Sequence, residues 1–98
     1  MIKNDEMIIP RLNDQNNVLD TQALAEQVRA GSVESVRAQG VAAGFVLAVS
    51  ADGAERYLVA QRGHVRVFRK LDSLAGFLKE MGVDKPIVVD LTGWAPDA

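Results

Sequence analysis

The sequence predicts an α+β fold: a three-stranded antiparallel sheet followed by one helix and one further strand. Between residues 44 and 70, apolar and polar side chains alternate with a period of two, and two Gly-containing pairs divide the segment into three strands. From about residue 72 to 81 the apolar spacing becomes helical, and Pro86 then opens a short apolar run over residues 86–91. These observations predict the order β-β-β-α-β.

The chain before this unit predicts an arm and a first helix. Residues 1–19 are polar and rich in Asn and Asp, so we expect a flexible N-terminal arm and a single α+β domain over residues 20–98. Asp20 can accept a hydrogen bond from the free amides of a first helical turn. Gly31 supplies the left-handed residue at which helices commonly end.

A second short helix is expected after Gly31. Ser32 can cap it, Val33 and Val36 fall on one side at helical spacing, and Gly40 can end it. Such short helices need tertiary packing for stability.

The turns of the antiparallel sheet set its predicted register. Asp52-Gly53 is a strong signal for a type I′ hairpin turn, and Gly63-His64 predicts the second turn. The register places on one face Phe45, Leu47, Val49, Leu58, Ala60 and Val67, and on the other Val46, Ala48, Tyr57, Val59 and Phe68. Because both faces carry apolar residues, we expect both to be covered, by two helices or by one helix and a second subunit.

The last strand completes the predicted topology. A strand-helix-strand connection normally joins parallel strands, so residues 86–91 should lie parallel to the first strand of the sheet, in the order 4-1-2-3. This order matches the opening of a ribonuclease-H-like fold, but the first strand has no carboxylate and Asp90 stands alone. One carboxylate cannot hold two metal ions, so two-metal chemistry is not expected.

Composition restricts the function classes further. The chain has no Cys and one His, so neither a disulfide framework nor a thiolate metal site is available. His64 lies in a predicted turn, where a solvated role is the usual one. We expect no catalytic residues, no metal, no cofactor and no enzymatic activity. No signal peptide and no apolar run of about 20 residues is present, which favours a cytoplasmic protein without a membrane contact.

Charge is distributed unevenly along the chain. Residues 55–70 hold five cations against one carboxylate, whereas the segments on both sides are acidic and the whole chain has a net charge of −2. The candidate residues for contact with nucleic acid or a partner are Arg56, Arg62, Arg66, Arg69, Lys70, Tyr57 and Phe68. Basic and aromatic side chains on a sheet can bind single-stranded nucleic acid. Alternatively, the charges protect an edge strand from aggregation or contact a protein.

Trp94 is the one tryptophan of the chain and lies near its C-terminus. It can pack back on the domain, which we favour, or serve as an interface residue for a partner.

Residues 65–74 (VRVFRKLDSL), continued by FL at 77–78 and MGV at 81–83, carry a family resemblance. This strand-turn-helix pattern resembles ParC-type partition-associated proteins of plasmids and integrative elements, which are unrelated to the topoisomerase subunit of that name. The resemblance covers about residues 44–94. It implies a non-enzymatic helper in the segregation of a mobile element, beside a partition ATPase and a centromere-binding protein.

Three functions follow as hypotheses. The first is an accessory interaction protein in plasmid or mobile-element maintenance, for which we expect a protein partner, a homodimer or both. The second is a small nucleic-acid-binding domain that uses the basic strands at 56–70. The third is a small-molecule-binding domain.

Overall fold

The computed structural model describes residues 17–60 and 63–95. Residues 1–16 of the predicted arm and Arg62 lie outside the described residues. The elements in chain order are β1 (Val18–Leu19), α1 (Thr21–Ala30), β2 (Val33–Val41), β3 (Gly44–Ala51), β4 (Ala54–Leu58), β5 (Val67–Phe68), α2 (Leu71–Met81) and β6 (Ile87–Asp90).

Helix α1 begins and ends where the sequence predicts. The amide of Ala23 donates a hydrogen bond of 2.8 Å to Oδ1 of Asp20, which satisfies one free amide of the first turn. Gly31 ends the helix with φ of 72°, in the left-handed region. Leu24 of α1 is completely buried and belongs to the hydrophobic core that the helix shares with the sheet.

The prediction of a second short helix is wrong: residues 33–41 form β2, which lies between β3 and β6 in the sheet. A β-bulge explains the error. Val33 pairs with Ala51 and Ser35 pairs with Ser50, so Glu34 is the extra residue. Val33 and Val36 therefore reach the same side of the sheet three positions apart. That spacing imitates one helical turn.

The predicted sheet order, 4-1-2-3, is also wrong. The described strands form a six-stranded mixed sheet in the order β1-β4-β3-β2-β6, and β5 pairs with β3 beside β4. β2 pairs with the edge of β3 that was predicted to pair with the last strand. β6 therefore pairs with β2, in parallel, and not with β3.

The first hairpin is confirmed and the second has a different register. Asp52 and Gly53 both have positive φ, 54° and 79°, as a type I′ turn requires. β4 then leaves β3 after Tyr57, and β5 takes its place. As a result Phe68 pairs with Phe45, and Val65 forms a bridge with Val59.

Both helices cover the same face of the sheet, which we call the helix face. Its buried cluster includes Leu24 of α1, Leu74 and Leu78 of α2, and Leu47 and Val49 of β3. The smaller cluster on the opposite face, the open face, consists of Val41, Val46, Ala48 and Tyr57, with Val65 packed against it. Among residues 17–60 and 63–95, no helix covers the open face.

Candidate functional site

A polar network centred on Arg37 spans the open face. The Arg37 guanidinium donates to both carboxylate oxygens of Glu55, at 3.2 Å from Nε and 3.0 Å from Nη2. It also donates to Oε1 of Gln39, and at 3.4 Å to the hydroxyl of Tyr57. A carboxylate oxygen of Asp90 on β6 lies 3.9 Å from Nη1. One side chain thus joins three strands: β2, β4 and β6.

Ala48 makes this arrangement sterically possible. It lies in β3 between Arg37 on one side and Tyr57 on the other, all at one level of the sheet. Neighbouring strands are about 4.8 Å apart, so the Arg37 side chain must cross β3 to reach Glu55 and Tyr57. A methyl group at position 48 leaves room for that crossing. Arg37 is not among the site residues predicted from the sequence, because it lies in the segment that was expected to form the second short helix.

Electrostatics fit a structural role for this network. The hydrogen bond to Glu55 raises the pKa of Arg37, so the guanidinium keeps its charge and neutralises the carboxylate beside it. The amide of Thr92 donates 2.9 Å to Oδ1 of Asp90 and holds the pKa of that carboxyl below its ordinary value. The network therefore links strands β2, β4 and β6 through the Arg37 side chain.

Among the described residues, the predicted contact residues are divided between the two faces of the sheet. Tyr57 lies on the open face and Phe68 on the helix face, although the predicted register placed them together. The reason is that Phe68 pairs with Phe45, whose side chain belongs to the helix face. The guanidinium carbon of Arg66 lies over two rings of the helix side, 4.6 Å from the Phe68 centroid and 4.8 Å from that of Phe77.

The remaining candidates are placed separately. Arg56 stands opposite Val49 in the register of β4 and β3. Arg69 and Lys70 are exposed and line a pocket with Trp94. The structure therefore brings together three of the predicted contact residues, and their binding role stays a prediction.

Trp94 packs back on the domain, as favoured from the sequence. Its indole stacks on Phe45 with ring centroids 5.9 Å apart and planes inclined by 20°. Two glycines permit this approach: a Cβ on Gly40 would lie 2.6 Å from the Trp94 Cβ, and one on Gly93 would lie 2.5 Å from the Gly40 carbonyl oxygen. The backbone of the C-terminal segment thus packs directly against β2 at Gly40.

The outer side of β6 is an apolar edge. No strand among the described residues pairs with it. Val88 and Leu91 have 60% and 55% of their surface exposed, and Val89 is also exposed. The run Ile87–Val89 is wholly apolar, which is typical of a strand covered on both faces. A terminal position in the sheet makes it an edge strand.

Two searches of the described part of the chain were negative. No group of three or more His, Cys, Asp or Glu side chains there could hold a metal ion. Neither described helix has the length and apolar character needed to cross a lipid bilayer.

These features define a small mixed-sheet protein with two helices on one face. The family model described as ParC-like matches residues 8–98, which is nearly the whole chain. The chain therefore belongs to the ParC-like family, and the resemblance noted from residues 65–83 is confirmed at that level. Comparison with the curated proteins and with the solved structures gave no match.

Proposed function

We propose that this protein is a non-enzymatic accessory protein in the maintenance of a plasmid or other mobile element, and that it acts through the outer edge of β6 as a homodimer. Membership of the ParC-like family supports the cellular role. The observation that carries the interaction is the exposed apolar edge strand, with Val88 as its most exposed large hydrophobic residue.

An edge strand of this kind is rarely left uncovered. Folded proteins usually protect free strand edges with charges, Pro or bulges, and exposed apolar edges pair with another chain. On β6 the one charged residue is Asp90, and its carboxylate is held by the Thr92 amide and lies near Arg37. The neighbouring Val88 and Val89 carry no such protection.

A second copy of the chain fits this edge in one register. A twofold axis perpendicular to the sheet joins the two β6 strands antiparallel and keeps the helices of both copies on one side. Residues that lie opposite each other across the two strands must then have their side chains on the same face of the sheet. This is possible only when the axis passes beside one residue, which then lies opposite its own copy in the second chain. When the pairing is centred on Val88, Val88 lies opposite Val88 of the second copy, and Ile87 lies opposite Val89 of the second copy. Centred on Val89, it would place Val88 against Asp90.

Charge exchange at position 88 tests the register. Val88→Lys and Val88→Asp each place like charges opposite one another, which destabilises a strand pair. We expect each variant alone to dimerise at least tenfold more weakly than the wild type. An equimolar mixture should recover a Lys–Asp heterodimer. Sedimentation equilibrium, with the 10.6 kDa chain as reference mass, measures all three.

Val67→Lys is the matched control. Val67 is a strand valine of 41% exposure that lies in β5, away from the β6 edge. It should leave the dimer intact. A wild-type chain that sediments as a monomer, or a mixture that stays monomeric, would contradict the pairing.

Retention of the element tests the cellular role. The coding sequence is deleted from its element, and the loss of the element per generation is measured with wild-type or Val88→Lys protein supplied in trans. We expect the deletion to raise loss, the wild type to restore retention, and Val88→Lys to fail. Unchanged retention in the deletion would refute the maintenance role even if the protein is a dimer.

A further inference from the structure

Three separate segments meet in a pocket of about 460 Å³ at one end of the sheet. It is lined by the turn Ala42–Ala43, by Arg69 and Lys70, and by Trp94 and Ala95. A volume of this order falls within the usual range of small-ligand sites.

Glycine contacts fix the walls of this pocket. A Cβ on Gly44 would lie 2.2 Å from the Phe68 carbonyl oxygen, so the turn before β3 lies directly against the backbone that leads to Arg69. The contact between Gly40 and Gly93 holds Trp94 on the other side. Close backbone contacts therefore position the turn 42–43, the segment leading to Arg69, and Trp94 around the pocket.

The charge of the pocket favours an anion. Arg69 and Lys70 supply two cations, and helix α2 begins directly after them. Lys70 is the N-cap residue, and its side chain makes no capping hydrogen bond to the first turn. Charged hydrogen-bond donors of this kind bind phosphate groups strongly. None of residues 71–74, the first turn of α2, lines the pocket, so Arg69 and Lys70 are its positive groups and the carboxylate of Asp72 lies outside it.

Trp94 adds an aromatic surface beside these cations. Phe45 occupies one face of the indole, while 38% of the residue remains exposed at the pocket. An aromatic ring held on one side by another ring is a rigid platform on which a base can stack.

We infer that this pocket binds a nucleotide unit, with the base stacked on Trp94 and the phosphate on Arg69 and Lys70. The inference is independent of the β6 dimer. Of the basic residues predicted within 56–70 to contact nucleic acid, the proposed site uses Arg69 and Lys70. It also uses the ring of Trp94, which was predicted separately as an interface candidate. The nucleotide can be free or part of a single strand.

The sole tryptophan of the chain lies in this site, so its fluorescence reports binding directly. The full chain is titrated at low salt with inorganic phosphate, a nucleoside, a nucleoside monophosphate and oligonucleotides of increasing length. We expect quenching by the monophosphate at concentrations at least tenfold below those needed for phosphate or nucleoside. Affinity that rises with oligonucleotide length and falls with salt identifies a single strand as the source. Equal affinity at every length identifies a free nucleotide.

Two variants keep the test specific. The double variant Arg69→Gln and Lys70→Gln should weaken nucleotide binding at least tenfold, and circular dichroism checks that it folds. Lys79→Gln removes an exposed cation from the other end of α2 and should bind as the wild type does. Absence of quenching by every nucleotide, equal binding of inorganic phosphate, or unchanged binding by the double variant would overturn the inference.

Discussion

Replacing Arg37 with Met tests whether the network on the open face stabilises the sheet. Met keeps most of the apolar stem that crosses Ala48 but removes every donor to Glu55, Gln39 and Tyr57. The variant therefore isolates the hydrogen bonds and the charge from the packing of the stem.

The expected loss can be bounded from exposure. Hydrogen bonds to charged groups contribute about 1.5–3 kcal/mol when buried, whereas exposed ion pairs contribute about 0.2–1 kcal/mol. The side chains of Arg37 and Glu55 are 24% and 40% exposed, which is between these cases. We expect the free energy of unfolding to fall by about 1–2 kcal/mol, since water can rehydrate Glu55 in the variant.

A double-mutant cycle separates the pair from its surroundings. Arg37→Met, Glu55→Gln and the double variant are unfolded in urea, followed by circular dichroism and by Trp94 fluorescence. We expect a coupling energy of about 1 kcal/mol. Arg29→Met, an exposed position on α1, serves as the control and should change stability by less than about 0.5 kcal/mol. A coupling energy below about 0.3 kcal/mol would refute a stabilising role for this pair.

Two further predictions concern the C-terminal segment. Gly40→Ala places a methyl group 2.6 Å from the Trp94 Cβ, so we expect a loss of about 1–3 kcal/mol and a shift of Trp94 emission in the folded state; unchanged emission would contradict the seating of the segment on β2. Asp90→Asn removes a carboxylate whose pKa is lowered, first by the amide of Thr92. A lowered pKa stabilises the fold above the ordinary value of 3.8 and this contribution is lost as pH falls through the folded pKa. The difference in stability between the wild type and Asp90→Asn should therefore be constant above pH 3.8 and change progressively as the pH is lowered further, measured by urea titrations; a difference that stays constant at all pH values would exclude the linkage.

The signals that were interpreted correctly are short in range. Asp20 and Gly31 bound α1, and Asp52-Gly53 forms the predicted turn, because capping and positive φ depend on a few adjacent residues. Helix α2, expected over about residues 72–81, ends at Gly82 with φ of 88°, in the left-handed region.

The wrong predictions share one origin. The bulge at Glu34 gave Val33 and Val36 the spacing of a helix, so β2 was not recognised. Without β2, the last strand was assigned to the side of β3, and Arg37 could not be placed opposite Ala48. A single misassigned element thus removed both the sheet order and the polar network.

The candidate sites were predicted in part. Arg69, Lys70 and Trp94 were each identified from residue type, but nothing in the sequence indicated that they share a pocket. Their meeting depends on close backbone contacts at Gly40 and Gly44, between segments far apart in the chain.

The sequence by itself determined the helices α1 and α2, the Asp52-Gly53 hairpin, the ParC-like resemblance and the basic character of residues 55–70. Only the tertiary structure decided which strands are neighbours, and hence that β6 is an apolar edge and that Arg37 joins three strands. The physical reason is the separation along the chain of the residues whose interactions fix each feature. Caps and turns are fixed by neighbouring residues, whereas strand order is fixed by which apolar surfaces bury one another across the whole chain.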